Sequence, residues 1–174
     1  MPDLKMLVVY YSRGGNTRAV AEEIARALGG ADLEEIRDAA DRSGWRGYLK
    51  SFREATSRST TVLTSPGRDT SGYDLVVVGT PVWVSSVSSP TRTYLNAHVG
   101  EFPRVAFFLT HGGTGRDKVF AQMTRLAGLQ PETVLAIREN EMQKPVFGSK
   151  IAAFAIELRG KLAASGTVGA GATA

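Results

Sequence analysis

The chain has 174 residues, 43% hydrophobic and 22% charged, the size and make-up of one soluble globular domain with a substantial core. Its net charge of +4 is spread along the length, with no basic tract, RNA-binding aromatic signature or zinc-finger spacing, so nucleic-acid binding is not expected. There is no cysteine, which excludes disulfides, thiolate catalysis and cysteine-ligated metal, and no stretch approaches the roughly 20 apolar residues of a membrane span.

Met1 to Lys5 runs straight into a strand-like segment without the apolar length or cleavage signals of an export sequence, so a cytoplasmic protein is expected. Met6 to Tyr11 (MLVVYY) is a continuous apolar run, as are Leu75 to Val78 (LVVV) and Val105 to Leu109 (VAFFL). Unbroken β-branched and aromatic runs suit strands covered on both faces, as in a parallel sheet. Leu33 to Ile36 and Val134 to Ile137 are weaker strand candidates.

Helical patterns separate these runs. Val20, Ile24, Ala27 and Leu28 recur at helical spacing, and Gly29-Gly30 ends that helix. Trp45, Tyr48, Leu49 and Phe52 predict an amphipathic helix inside a connection, residues 37 to 73, that is too long for a plain loop. Ser57 to Gly72 then reads as an extended polar excursion. Ser89-Pro90 reads as an N-cap with proline at the first helical position, leading into Thr91 to His98. Val119, Met123, Leu126 and Ala127 form the next stripe, stopped near Gly128. Ile151, Phe154, Ala155, Leu158 and Leu162 form the last, with Ser149 as a cap. Ser165 to Ala174 is a run of small residues with nothing to bury, so the domain is expected to span 1–164 with a disordered tail over 165–174. The alternation of elements predicts a single-domain, doubly wound α/β sandwich, with helices on both faces of a parallel sheet.

In open parallel sheets, ligands bind beyond the carboxyl ends of the strands. The exits of the strong strands are Ser12-Arg13-Gly14-Gly15-Asn16-Thr17, Gly79-Thr80-Pro81-Val82-Trp83-Val84 and Thr110-His111-Gly112-Gly113-Thr114-Gly115. The first suits a phosphate. Backbone N–H groups at a helix start stabilise an anion, Gly14 and Gly15 let the chain approach it, and Ser12, Asn16 and Thr17 add donors. A glycine turn with an Asn or Thr cap and no ligand is the alternative. It is neither a Walker A loop nor G-x-G-x-x-G. In the second, Pro81 stiffens the strand exit and Trp83 offers a stacking surface for a flat ring, unless it packs into the core. In the third, Gly112, Gly113 and Gly115 allow close approach to a ring edge, or serve only a turn. Together the three describe a site for a flat heterocycle carrying a terminal phosphate.

At these motifs the chain resembles the flavodoxin family, over most of its length. Ser12-Arg13-Gly14-Gly15-Asn16-Thr17 is similar to the family's phosphate loop Ser/Thr-x-Thr-Gly-Asn-Thr, with glycine in place of threonine at 14 and Arg13 as a compensating charge. YDLVVVGTPVWVSSVSSPTRTYL (Tyr73 to Leu95) and VAFFLTHGGTG resemble the third and fourth strands with their flavin loops. The resemblance implies a five-stranded sheet of order 2-1-3-4-5. It implies FMN held at its phosphate by Ser12, Arg13, Gly14, Gly15, Asn16 and Thr17. The ring would lie against Pro81, Val82, Trp83 and Val84, and against Thr110, His111, Gly112, Gly113 and Gly115. His111 is a cation near the ring or a neutral hydrogen-bonding group. No side-chain acid or base is assigned and no metal is expected.

Two departures stand out. Many flavodoxins are strongly acidic, whereas this chain is basic. The segment 41–58 also carries Arg42, Arg46, Lys50, Arg53 and Arg58 against Asp41 and Glu54. That is either the solvated face of an amphipathic helix or an attraction for a nicotinamide phosphate, an anionic substrate or an acidic partner. Three functions follow in order of expectation. The first is an FMN-dependent oxidoreductase acting on a quinone-like or other small acceptor, with NAD(P)H a candidate donor. The second is an electron carrier that serves a redox partner and has no substrate of its own. The third is a non-redox phosphate-ligand binder on the same fold; a hydrolase lacks the G-x-S-x-G elbow.

Overall fold

The structure, a computed structural model, describes residues 4–39, 60–64 and 67–168. Its elements are β1 (Met6–Tyr10), α1 (Asn16–Ala27), β2 (Asp32–Glu35), β3 (Leu75–Trp83), β4 (Ser86–Val87), α2 (Ser89–Ala97), β5 (Val105–His111), α3 (Arg116–Ala127), β6 (Val134–Arg138) and α4 (Pro145–Val168). The sheet order is β2-β1-β3-β5-β6, all pairings along it parallel, with the short β4 added antiparallel to β3. Without that two-residue addition this is the expected five-strand order.

Position in the sheet explains the strength of each strand signal. β1 and β5 are buried throughout, and so is β3 from Leu75 to Thr80. Their apolar runs are unbroken because helices cover both faces. The two weaker candidates are the edge strands, and each exposes part of its length. Alternate residues feed two cores. Met6, Val8 and Tyr10 join Leu75, Val77 and Phe108 under α1 and α4, with Ile24, Phe154 and Leu158. Leu7, Val9 and Tyr11 join Val76, Val78, Phe107 and Leu109 under α2 and α3, with Leu95, Val119 and Met123. Each such side chain stabilises the fold by about 1.5–3 kcal/mol on burial.

Several boundaries differ from expectation. β3 does not stop at Val78 but runs through Pro81 and Trp83, because Val82 and Trp83 pair with Val87 and Ser86. β5 likewise includes Thr110 and His111, which pair with Ile137 and Arg138. The cap of α2 is Ser88, so Ser89 and Pro90 are inside the helix. α4 starts at Pro145, leaving Ser149 in its first turns, where its hydroxyl donates back to the Pro145 carbonyl. It continues to Val168, past the boundary expected at residue 164, and residues 169–174 lie outside the described ones. So does the helix expected around Trp45 to Phe52. The return of that connection pairs Asp38 with Leu63 and passes beside α2, where Thr61 N–H donates to Thr93 Oγ1 at 2.9 Å. It then reaches β2, where Arg68 lies 3.3 Å from Asp32. No helix among the described residues is long and apolar enough to cross a membrane.

Gly79 shows how tightly the sheet is covered. It pairs with Phe108, whose ring lies over it so closely that a Cβ at 79 would sit 2.0 Å from Phe108 Cζ. Gly79→Ala is therefore expected to cost about 1–3 kcal/mol through overpacking. Urea unfolding should show a lower midpoint with unchanged slope, and a wild-type midpoint would contradict this packing.

Candidate functional site

The first strand exit becomes a turn closed by its own side chain: Ser12 Oγ accepts from the Gly15 N–H at 3.1 Å. Gly15 is the N-cap of α1, with φ 94°, a left-handed conformation that favours glycine. It has no side chain with which to cap the helix, and the first turn of α1 carries no acidic residue. An added Cβ at Gly14 or Gly15 would meet nothing within 4 Å, so the backbone borders open space. Asn16 is exposed, and its amide makes no hydrogen bond among the described residues. This is an uncapped positive helix end beside open space, which suits an anion. Arg13 is exposed beside it. Arg18 points elsewhere: it pairs with Glu35 at 2.5 Å, fastening α1 to the end of β2. Beneath that pair, burial and the Glu35 carboxylate hold the Tyr10 phenol above its ordinary pKa.

The second exit is a β-hairpin. Val84 and Ser85 form its two-residue turn with φ values of 49° and 53°. Positive φ at both central positions matches the twist of a hairpin, but Asn-Gly is the usual choice and a valine there is strained. Trp83 is half-buried, set edge-on to Tyr11 with ring centroids 5.6 Å apart and packed against the second core. The packing expected of a core tryptophan is thus partly present, and the ring is not fully enclosed.

The third exit is held from within. His111 is buried, with Nδ1 2.5 Å from the Gly113 carbonyl. A carbonyl only accepts, so Nδ1 carries the proton, and a neutral ring then keeps Nε2 as an acceptor. A Cβ at Gly113 would meet nothing within 4 Å, and one at Gly112 would lie 3.8 Å from the Glu139 carboxylate. Gly115, the N-cap of α3, has φ 98°, and a Cβ there would lie 2.6 Å from Ser85 Oγ.

These contacts bring the three exits together. Thr17 and Thr110 share a buried hydroxyl hydrogen bond of 2.8 Å between the first and third. Tyr11 against Trp83 joins first to second, and Ser85 against Gly115 joins second to third. Thr17, expected among the phosphate donors, is thus engaged with Thr110. Other parts of the site were not expected. Gln122 Oε1 accepts from Ser86 Oγ at 3.0 Å and from Val87 N–H at 3.2 Å, while Arg92 Nη2 donates to Ser86 Oγ at 2.8 Å. The available signal for Gln122 was a polar residue one step from Met123 on an apolar stripe. Tyr11 was counted only as the end of a strand.

The family model described as Flavodoxin matches residues 5–137. The chain belongs to the flavodoxin family. Among solved structures, a flavoprotein in complex with FMN from Lactobacillus acidophilus NCFM is 25% identical, with TM-score 0.68, covering 81% of this chain and 97% of that one. Flavodoxin 2 from Bacillus cereus, in its oxidised form, is 18% identical with TM-score 0.58, covering 90% and 99%. A flavodoxin from the domain Archaea is 17% identical with TM-score 0.55, covering 91% and 99%. None of the curated proteins matches the sequence.

The hydroxyl pair can be tested directly. Thr17→Val or Thr110→Val leaves a buried hydroxyl without its partner and should cost about 1–3 kcal/mol. The double variant should cost clearly less than the sum of the two, because both polar groups are then gone. Equal additivity in denaturant unfolding would contradict the shared bond.

Proposed function

We propose that this chain binds FMN at the three-exit junction and works as a flavin-dependent oxidoreductase on a small acceptor. The observation that carries the reading is the uncapped start of α1, open over Gly14 and Gly15, fastened beside a half-buried tryptophan. An FMN complex of a relative with the same fold supports it. The residues fit the cofactor. The first N–H groups of α1, with the Asn16 amide and Ser12 hydroxyl, would hold the phosphate. Pro81 to Val84 and the third exit would hold the ring.

When bound, the flavin supplies the hydride and electron transfer. The chain's part is to bind, orient and shield. The hairpin gives a fixed apolar wall and limits water on one side. His111, fixed through Gly113, presents either an Nε2 acceptor or, when protonated, a charge that favours an electron-rich ring. The net charge of +4 supports anionic acceptors or donors over the basic partners that acidic flavodoxins suit. Anaerobic mixing with NADPH separates the enzyme from a carrier without a substrate of its own: rapid bleaching marks the enzyme, slow bleaching the carrier.

Asn16→Asp tests the phosphate position. In the ligand-free protein a carboxylate at this helix start is neutral or mildly stabilising. Beside a phosphate it repels, and FMN affinity should fall on the order of tenfold, while riboflavin affinity stays as in the wild type. Equal losses for both ligands would remove the phosphate from this loop.

A further inference from the structure

The hairpin at the second exit has little of its own to hold it. β4 is two residues long, and the strand pairing consists of Val82 with Val87 and Trp83 with Ser86. The turn places Val84 and Ser85 in the left-handed region, which disfavours both residues. Val84 is 52% exposed, so burial of its side chain does little to offset that strain. Support comes from the helices behind. Arg92 on α2 reaches the Ser86 hydroxyl and the Val87 carbonyl, while α3 meets the hairpin at two positions seven residues apart.

Seven residues make nearly two helical turns, so Gly115 and Gln122 lie on one side of α3. At Gly115 the missing Cβ leaves room for Ser85, whose Oγ would otherwise lie 2.6 Å from it. At Gln122 a buried amide meets the hairpin with both its ends. Nε2 donates to the Ser85 carbonyl, inside the turn, at 3.4 Å. Oε1 accepts from the Ser86 hydroxyl at 3.0 Å and the Val87 N–H at 3.2 Å, beyond the turn. One side chain thus ties the turn to the strand that follows, and both to α3. An apolar side chain of the same length would leave the buried Val87 N–H without this acceptor.

We propose that Gln122 is a positioning residue for the flavin ring. It acts through Trp83 and Val84, which the FMN reading sets against the ring, and the inference rests on that reading. The phosphate end is fastened separately, through Thr17 and Thr110. Loss of Gln122 should therefore weaken the hold on the ring and leave the hold on the phosphate as it is.

The test compares Gln122→Met, which keeps the length and removes all three bonds, with Gln122→Glu, which keeps both acceptances. In the ligand-free protein, amide hydrogen exchange at Val87 should quicken roughly tenfold or more in Gln122→Met and stay near wild type in Gln122→Glu. Riboflavin and FMN affinities should both fall about fivefold in Gln122→Met, with their ratio unchanged. Gln122→Glu should recover most of that loss. Gln122→Asn, whose amide stops one carbon short, serves for the same readouts if Gln122→Met does not fold. Unchanged exchange at Val87, or wild-type affinity for both flavins in the folded variant, would overturn the positioning role. A wild-type protein that binds neither flavin is a different result, and would overturn the FMN reading itself.

Discussion

The candidate site depends on one buried contact, the 2.8 Å hydroxyl bond between Thr17 and Thr110. It joins the first turn of α1 to the end of β5, across the central strand β3. A parallel sheet aligns the ends of its strands but does not hold the segments that leave them. Thr17 lies directly behind the uncapped end of α1, so the bond fixes where the positive helix end stands relative to the third exit. A neutral hydrogen bond contributes only about 0.5–1.5 kcal/mol net, yet breaking one side of a buried pair costs more. That asymmetry makes it a fastening.

The hairpin is held differently. Left-handed Val84 and Ser85 cost on the order of 1–3 kcal/mol each. Such a turn persists only where its surroundings over-determine it. Gln122 binds the strand after the turn through Ser86 and Val87 and reaches the Ser85 carbonyl at 3.4 Å, while Arg92 holds Ser86 and Val87 from the other helix. Hydrogen bonds of about 1 kcal/mol each, with roughly 1.5–3 for those from a charged donor, are of the size needed to offset that strain. A strained turn therefore stands at the exit of β3, held from behind by two helices.

Much of this was legible in the residues. The unbroken runs of β1, β3 and β5 disclosed a sheet covered on both faces, and the glycine-rich exits do lie together at the carboxyl ends of its strands. Less legible was whatever depends on partners distant in sequence. β3 outlasts its apolar run because Ser86 and Val87 turn back to pair with it, and no periodicity announces a two-residue strand. Tyr11, Arg92 and Gln122 act through contacts that exist only once the helices are packed. Trp83 could be read as a wall or as core; it is half-buried and edge-on to Tyr11, a contact that its sequence position does not announce.

In the proposed site, position 14 is glycine where the phosphate-loop pattern that the sequence resembles has threonine. Gly14 leaves open space in place of a hydroxyl, while the backbone N–H groups of α1 and the exposed Asn16 amide remain. On the proposed reading, anion binding would rest on the helix start more than on side chains. The most direct measurement is the visible absorption spectrum of the purified protein, taken after adding FMN and dialysing exhaustively. The account predicts flavin bands retained at one equivalent per chain. Complete loss of the flavin, with the protein still folded, would contradict it.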